Sequence, residues 1–364
     1  MKPKIDFQRL EYVDRKEWIQ LTENAIMPYY INQEYEYAKI MESGGISPIY
    51  FLSIRDSTGK IDSGIAFYST NTRFGKILTT GGGPIISSDS SQLLKDGLES
   101  FIRTYRRKFL NIRLAFLPPS NLLNGRTILK VVRPAMTSIV DLTPPIEEIQ
   151  RKVEKSRQRR IKKALSSEIR IQELSSWDQW KESFHILEQH SLEKGYPLNL
   201  DIRMWKLTFE KYFNNSKVKK KVVFGAFQEN EMLGTIVITI IGGRATMDIL
   251  GNLPNLKNDN YSSLLMWKAI EYSKKINCET FNLSGLPSLG SNLHGIRVFK
   301  ESFGGKEVPI EEYCSNSAFT LTFNSMRRPM VTNLVNKAFT SLGLETLLWK
   351  IKSTASAMPL KPEE

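Results

Sequence analysis

The sequence has few of the residues and patterns that identify common enzyme and membrane classes. Its 364 residues include two cysteines, without a CxxC pair, and three histidines, so we expect neither a disulfide framework nor a structural zinc site. No run approaches the length of about eighteen apolar residues that a membrane span needs, and the N-terminus lacks the apolar segment of a secretory signal. These absences predict a globular, cytoplasmic protein with reduced cysteines.

Several catalytic motifs are missing as well. The chain has no GxSxG elbow, no GxxxxGK[ST] phosphate loop and no HExxH pair. The histidines also lack neighbours that would complete a metal site. We therefore expect no metal and no cofactor.

Positive charge, by contrast, is in excess. The chain carries 51 Lys and Arg against 38 Asp and Glu, a net charge of +13. Eight of these cations fall within residues 151–163, and KVKKK at 217–221 adds a second cluster. Such clustering favours a phosphate-rich partner, whether nucleic acid, a nucleotide-linked precursor or an anionic membrane surface. A merely basic surface is the alternative.

Two segments of the chain share one layout. Residues 49–83 and 222–252 each contain three apolar strands separated by turns, and each leads into a helix and a further strand. Gly64 and Gly81 lie 17 positions apart, as do Gly234 and Gly251. The repeat predicts an α/β (α+β) protein built from two copies of one unit.

Domain boundaries follow from this repeat. We expect a first domain over 1–143, a basic connecting helix over 144–170, a second domain over 171–316 and a C-terminal segment over 317–364. The connecting helix is either a solvated linker or a cationic surface beside a substrate channel. The C-terminal segment predicts a strand, an amphipathic helix and a disordered end. Its helix either packs on the second domain or contacts an anionic membrane.

The segment SNLHGIRVFKESFGG, residues 291–305, predicts a short helix that ends at Gly304 and Gly305. One face of this helix carries the apolar residues Leu293, Ile296, Phe299 and Phe303. Lys300 projects into the same face, which we expect to be directed at the core. Two interpretations stay open: a lysine whose ammonium reaches back to water, and a functional cation.

Four motifs resemble those of the Fem family of aminoacyltransferases, the FemAB and FemX group. They are NQEYEYAKI (32–40), GGGP (81–84), KSRQRRIKKA (155–164) and FNLSG (281–285) followed by GIRVFKESFGG (295–305). The motifs occur in the family's order and spacing. Asn282 stands where the family has Asp, and Ser284 where it has Gly. The resemblance implies two tandem GNAT-like (acyl-CoA N-acyltransferase-like) domains.

The resemblance also implies an activity, the transfer of an aminoacyl group from aminoacyl-tRNA to an amine of a peptidoglycan-type precursor. The resemblance makes Lys300 and Phe299 the candidate catalytic residues, placed at the acyl donor. Lys39 matches a position that holds the acceptor's phosphates. The candidate substrate-binding residues together are Lys39, Gln33, Tyr37, Arg203 and Tyr261.

The sequence lacks a turn that would indicate coenzyme A as the acyl donor. Ordinary GNAT enzymes hold the diphosphate of coenzyme A in a glycine-containing turn, and residues 253–263 contain no glycine. This favours aminoacyl-tRNA as donor and a phosphate-bearing amine as acceptor, with the protein in the cytoplasm or peripheral at the inner face of the membrane. The alternatives are an acyl-CoA-dependent N-acyltransferase acting on a polysaccharide or small amine, and a non-catalytic module that binds RNA or a membrane.

Overall fold

The computed structural model describes residues 3–27, 29–45, 48–72, 75–88, 91–116, 130–131, 135–194, 198, 200–213, 219–254, 260–287 and 293–315. The chain divides into two compact units. Unit 1 takes the described residues of Met1–Ala135, Pro287–Asn292 and Pro309–Glu364, and unit 2 those of Met136–Leu286 and Leu293–Val308. The predicted C-terminal segment, 317–364, lies outside the described residues.

Unit 1 contains most of the first half of the chain. Its strands are β1 (Lys4–Arg9), β2 (Ile49–Arg55), β3 (Ile61–Thr72), β4 (Gly75–Gly83), β5 (Ile85–Ile86), β6 (Asn111–Phe116) and β7 (Lys130–Val131). Its helices are α1 (Arg15–Glu23), α2 (Tyr35–Ser43) and α3 (Ser91–Tyr105), with short 3₁₀ turns at Leu10–Tyr12 and Ile31–Gln33.

Unit 2 follows in the chain. Its strands are β8 (Ala135–Asp141), β9 (Arg170–Glu173), β10 (Lys219–Gln228), β11 (Glu231–Ile241), β12 (Arg244–Asn252) and β13 (Thr280–Leu286). Its helices are α4 (Ile146–Lys152), α5 (Lys155–Leu165), α6 (Trp177–Lys194), α7 (Ile202–Tyr212), α8 (Asn260–Lys275) and α9 (His294–Glu301). The last described strand, β14 (Lys306–Cys314), begins in unit 2 and ends in unit 1.

The two units repeat one strand order, and the predicted duplication is confirmed. In unit 1 four strands run in the order β1-β2-β3-β4 with antiparallel neighbours, and β6 joins β4 in parallel after helix α3. In unit 2 the order is β9-β10-β11-β12, and β13 joins β12 in parallel after helix α8. Each unit is therefore a mixed α/β unit in which a helix connects the two parallel strands.

The closing strand of each unit comes from the other half of the chain. β14 pairs with β6 in unit 1, and β8 pairs with β13 in unit 2. The units therefore differ from the predicted domains 1–143 and 171–316 at these two strands. The turn around Thr143 predicts a boundary at that point, because the pattern of a strand shows that it pairs but not which sheet edge it joins.

Each unit has its own core. In unit 1, α3 packs one apolar face on the sheet, with Leu94, Leu98, Phe101 and Ile102 buried at helical spacing. In unit 2, α5 and α8 cover one face of the sheet, and Val222 and Phe224 of β10 point to that face. Helices α6 and α7 cover the other face, to which Val223 and Phe227 point. This alternation is the period of two expected for strands buried on both faces, and each such buried side chain stabilises the fold by about 1.5–3 kcal/mol.

The basic segment forms two helices where the sequence analysis expects one. The helix stops after Lys152, because Val153 is extended (ψ 134°), and restarts at Lys155. At the break, the backbone N–H of Glu154 donates to Ser302 O at 2.9 Å. The interruption thus joins the basic segment to the end of α9 within unit 2. On α5 the side chains of Lys155, Arg159, Lys162 and Lys163 are exposed, whereas Arg157, Ile161 and Ala164 are buried.

Candidate functional site

Helix α9 buries the face that the sequence predicts only at the C-terminal end of that face, at Lys300 and Phe303. Arg297, Lys300 and the following Phe303 are buried, whereas Leu293 and Ile296 are exposed. The expected burial of those two residues is therefore wrong. Arg297 is stabilised in its buried position by ion pairs with Glu301 and Glu307, and these pairs are not visible in the hydrophobic pattern of so short a helix.

Lys300 is a buried cation with a carbonyl partner. Its side chain is 8% exposed, and its Nζ donates to Gly285 O at 2.6 Å. Within the described part of the chain, no carboxylate lies at salt-bridge distance from this Nζ. Burial lowers the pKa of Lys300 to about 8, so at pH 7 about ten side chains are protonated for each neutral one. Most of the lysine is therefore buried in unit 2, and its ammonium is bonded to a backbone carbonyl.

A bulge in β13 presents the carbonyl that Lys300 contacts. The pairing of β13 with β8 shifts between Asn282 and Gly285, and Ser284 has a φ of +64°. Asn282 Oδ1 stabilises this bend by accepting from Ser284 N at 2.8 Å and from Thr137 Oγ1 at 2.6 Å. The left-handed backbone explains why glycine suits the position of Ser284, and an amide oxygen accepts here as a carboxylate would.

The parallel strands β12 and β13 part next to this bulge. Their pairing covers Arg244↔Thr280, Ala245↔Phe281 and Thr246↔Asn282, and then Ser284 Oγ donates to Met247 O. Among the described residues, β12 pairs after this point with β11 alone, across a shift that leaves Asp248 as an extra residue. Such a parting leaves backbone donors and acceptors of a strand edge for an extended ligand.

Arg157 on α5 completes the polar cluster, and it is not among the site residues that the sequence predicts. The guanidinium is buried and lies 4.5 Å from the ring centroid of Phe299. Its Nε donates to Ser302 Oγ and its Nη1 to Ser263 Oγ, both at 2.8 Å. A signal was present, because Arg157 precedes Ile161 and Ala164 by four and seven residues and so shares their buried face.

The other two candidates of unit 2 lie in different settings. Tyr261 is 2% exposed, and its ring packs so closely on β11 that a Cβ at Gly234 would lie 2.8 Å from it. The tyrosine therefore fixes α8 on the sheet. Arg203 is largely exposed and forms an ion pair of 2.8 Å with Asp201, two residues earlier. An exposed pair of this kind contributes little to stability.

In unit 1, Gln33 is a structural cross-link. Its Nε2 donates to Thr80 Oγ1 at 2.9 Å, and its Oε1 accepts from Ala66 N at 2.8 Å. Its backbone oxygen accepts from Trp18 Nε1 at 2.9 Å. Since the side chain is fully buried and both ends of the amide are engaged within unit 1, Gln33 holds the sheet to its flanking turn. Its substrate-binding role stays a prediction.

The remaining candidates of unit 1 lie on α2. Lys39 is exposed, with its Nζ 5.8 Å from the ring centroid of Tyr35. Tyr37 is half-buried. The substrate-binding roles of Lys39 and Tyr37 remain predictions. Among the described residues no cluster of His, Cys, Asp and Glu could hold a metal, and burial raises the pKa of the Cys278 thiol to about 11, which keeps it protonated at neutral pH.

Comparison with known proteins identifies the fold. No protein-family model matches the sequence, and no curated protein matches it. FemX matches at 10% identity over 85% of this chain and 97% of its own, with a TM-score of 0.65. The C-terminal domain of a protein assigned as a lysylphosphatidylglycerol synthetase, from Agrobacterium fabrum, matches at 12% identity over 86% and 97%, with a TM-score of 0.60. L-PGS from Bacillus licheniformis matches at 12% identity over 89% and 97%, with a TM-score of 0.58.

These likenesses cover most of the chain, and they show that it has the tandem GNAT-like fold. The predicted fold class is confirmed. Membership of the Fem family is not shown at this level of identity. In the part of the chain that the structure describes, no helix has the length and apolar character needed to cross a membrane.

Proposed function

We propose that this protein is an N-acyltransferase that moves an aminoacyl group from aminoacyl-tRNA to an amine of a cell-envelope or peptidoglycan-type precursor. The observation that supports it most is the buried ammonium of Lys300, bonded to Gly285 O beside the point where β12 and β13 part. FemX and this chain share one fold, and this shared fold is the second support for the proposal.

The reaction is the aminolysis of an ester. A neutral amine attacks the carbonyl carbon of the aminoacyl ester, a C–N bond forms, and the C–O bond to the tRNA 3′ oxygen breaks. The amine loses a proton and the departing 3′ oxygen gains one, so no net proton is exchanged. Negative charge develops on the carbonyl oxygen in between, and a fixed cation stabilises that charge more than it stabilises the substrate.

Lys300 suits this role because its charge is held in place and poorly solvated. Water does not screen a buried ammonium as it screens an exposed one, so a nearby oxyanion is stabilised more strongly. The half-buried ring of Phe299, one residue earlier, supplies apolar surface next to it. We assign Phe299 to contact with the donor's acyl end.

The exposed cations of α5 supply a surface for the donor's phosphates. Lys155, Arg159, Lys162 and Lys163 repeat at helical spacing on one side of the helix. Phosphate contacts of this type position a nucleic acid without reading its sequence. Lys39 and Tyr37 in unit 1 are proposed to hold the phosphate-bearing acceptor.

Two other activities are kept as outcomes of the test. One is an acyl-CoA-dependent transfer to a polysaccharide or small amine. The other is a non-catalytic module that binds RNA or a membrane. The likeness to a lysylphosphatidylglycerol synthetase adds a third acceptor class, a lipid hydroxyl, which would give an ester in place of an amide.

The test offers donors and acceptors separately. The purified full chain is incubated with a mixture of radiolabelled aminoacyl-tRNAs or with acetyl-CoA, together with UDP-linked muropeptide precursors or phosphatidylglycerol vesicles. We expect consumption of aminoacyl-tRNA only, dependent on the amine acceptor, with an alkali-stable product. An alkali-labile lipid product would reassign the acceptor. Consumption of acetyl-CoA alone would reassign the donor, and retention of tRNA without consumption would indicate a binding module.

A further inference from the structure

The buried Arg157 differs from every exposed cation on the same helix. We propose that Arg157 is a positioning residue that fixes α9, and with it Lys300, against β13, while the exposed cations of α5 face the donor. The functional part of this inference rests on the proposed acyl transfer. Its structural part does not, and the experiment below measures that part directly.

The guanidinium joins three segments of unit 2 through one planar group. Nε donates to Ser302 Oγ in the turn after α9, and Nη1 donates to Ser263 Oγ on α8, each at 2.8 Å. Ser302 Oγ in turn donates to Phe299 O at 2.6 Å. Arg157 on α5 is thereby linked to the last turn of α9 and to the first turn of α8.

Aromatic rings enclose the same group. The guanidinium carbon lies 4.5 Å from the ring centroid of Phe299 and 5.6 Å from that of Phe303. Phe303 is fully buried. A cation over desolvated rings is stabilised by their quadrupoles, so Arg157 holds the two phenylalanines that flank Lys300 in sequence.

These contacts make a phosphate-binding role for Arg157 unfavourable. The side chain is 8% exposed, and at least two of its N–H donors are bonded to serine hydroxyls. An anion would have to displace those hydroxyls and open the packing of Phe303. Arg159, two residues later, is exposed and meets neither obstacle.

The end of α9 is packed closely enough for this anchor to matter. A Cβ at Gly304 would lie 2.7 Å from Lys152 O, and one at Gly305 would lie 2.3 Å from Ser138 Oγ. Lys300 occupies the last turn of α9, and its Nζ reaches Gly285 O at 2.6 Å. If the anchor is removed, the turn loosens and water reaches the ammonium.

The electrostatic surroundings of Lys300 make that change measurable. The charged groups on neighbouring elements include Arg297 and Glu301 on α9, Lys306 and Glu307 on β14, Asp248 on β12 and Arg157 on α5, and β13 carries none. Arg297 pairs with both glutamates. Burial is the cause of the lowered pKa of Lys300, about 8, so entry of water should return the pKa toward its usual value of about 10.4.

The experiment titrates Lys300 by pulsed acetylation with acetic anhydride across a pH series, read by mass spectrometry of the peptide that contains it. We compare wild type with Arg157→Met and, as a matched control, Arg159→Met on the exposed side of α5. In Arg157→Met we expect the midpoint of labelling to rise by at least about one pH unit and the limiting rate to increase. In Arg159→Met neither should change.

An unchanged midpoint and rate in folded Arg157→Met would overturn the proposal. If that variant does not fold, Ser302→Ala keeps the cation and removes one of its acceptors, and we expect a smaller shift in the same direction. An unchanged Ser302→Ala would then refute the anchor. Labelling needs no substrate, so failure of the proposed function, seen as no donor consumed by wild type, is distinguishable from failure of the anchor.

The kinetic counterpart separates positioning from binding. With aminoacyl-tRNA as donor, Arg157→Met should lower kcat by about tenfold or more with little change in the donor's KM, whereas Arg159→Met should raise that KM. Arg157→Lys should restore little, because a lysine cannot bond both serines at once. The reverse pattern would assign Arg157 to substrate binding.

Discussion

The parallel strand pairs of the two units differ at their C-terminal ends. In unit 1, β4 and β6 stay paired from Ile77↔Asn111 to Gly83↔Phe116. In unit 2, β12 and β13 stop pairing after Thr246↔Asn282. Both units have the same order of strands and helix, so the difference lies in the residues around the strand ends. Among the residues that the structure describes, the parallel strands thus stay paired at this end in one copy and part in the other.

The residues that fill unit 1 and open unit 2 have different chemistry. In unit 1 the amide of Gln33 bonds both β3 and β4, and Tyr30 packs directly on Gly82. In unit 2 the corresponding end has two bulged strands and the ammonium of Lys300. A closed strand end stabilises its unit, whereas an open one with a buried charge is arranged for a ligand. We therefore propose unit 2 as the unit that carries the catalytic residues.

The largest expected effect is on turnover. Lys300→Met keeps most of the side-chain volume and deletes the charge, so we expect kcat to fall by a factor on the order of 10²–10³, as for loss of one oxyanion donor. Lys306→Met, an exposed lysine of unit 2, serves as the matched control and should retain turnover. Equal activity of the two variants would break the assignment of catalysis to unit 2.

The closed end of unit 1 should be intolerant of added volume. A Cβ at Gly82, where φ is +73°, would lie 1.9 Å from Tyr30 Cδ2. We expect Gly82→Ala to lower the free energy of unfolding by about 3 kcal/mol or more. Gly242→Ala is the control. Gly242 also has a positive φ, +55°, but a Cβ added there would have no atom within 4 Å. This substitution should therefore lower the free energy of unfolding by only about 1 kcal/mol. Equal losses in denaturant titrations would show that the packing of Tyr30 is unimportant.

Gln33 should matter for the stability of unit 1 and not for the charge in unit 2. Gln33→Met leaves Ala66 N and the hydroxyl of Thr80 without their partner, so we expect a loss of about 2–3 kcal/mol of unfolding free energy. The labelling midpoint of Lys300 should stay at its wild-type value. A shifted midpoint would show that the two ends are not independent.

The smallest expected effect is a gain in stability. In the unfolded chain Lys300 titrates near its usual pKa of about 10.4, and in the fold burial lowers that pKa to about 8. The unfolded state therefore binds more protons between these values, and stability rises with pH across this window. Below it the buried charge destabilises the fold by on the order of 3 kcal/mol, partly offset by the bond to Gly285 O.

Lys300→Met should consequently be more stable than wild type by about 1 kcal/mol at pH 7, because it removes the charge and the hydrogen bond together. Above a pH of about 10.5 this advantage should disappear, since the wild-type lysine is then neutral in both states. Paired urea titrations at the two pH values measure the difference. An advantage that does not depend on pH would mean that the charge is not its cause.

Much of the fold could be predicted from the sequence, because glycine spacing and strand pattern are local properties. The 17-residue spacing shared by Gly64–Gly81 and Gly234–Gly251 indicated both units and their element order. The exchange of β8 and β14 could not be predicted, since the pairing partner of a strand is chosen by tertiary packing rather than by its own residues.

The candidate site was predictable only in part, for a related reason. The motif around Lys300 directed attention to α9, but the helical wheel placed Leu293 and Ile296 on the buried face. In the structure these two residues are exposed, and Arg297 is buried through its ion pairs with Glu301 and Glu307. Arg157 was hidden among exposed cations, although its spacing from Ile161 indicated burial. Polar partners that are distant in sequence decide such cases, and a hydrophobic pattern does not contain them.

The central claim is that the positive charge of Lys300 promotes acyl transfer, and the pH dependence of the reaction tests it most directly. We would measure single-turnover consumption of aminoacyl-tRNA at saturating acceptor amine from about pH 6 to about pH 10, after subtracting spontaneous ester hydrolysis. The rate should fall as pH rises through about 8, where Lys300 loses its proton. A rate that keeps rising to the alkaline end, as expected from ionisation of the acceptor amine alone, would contradict the account.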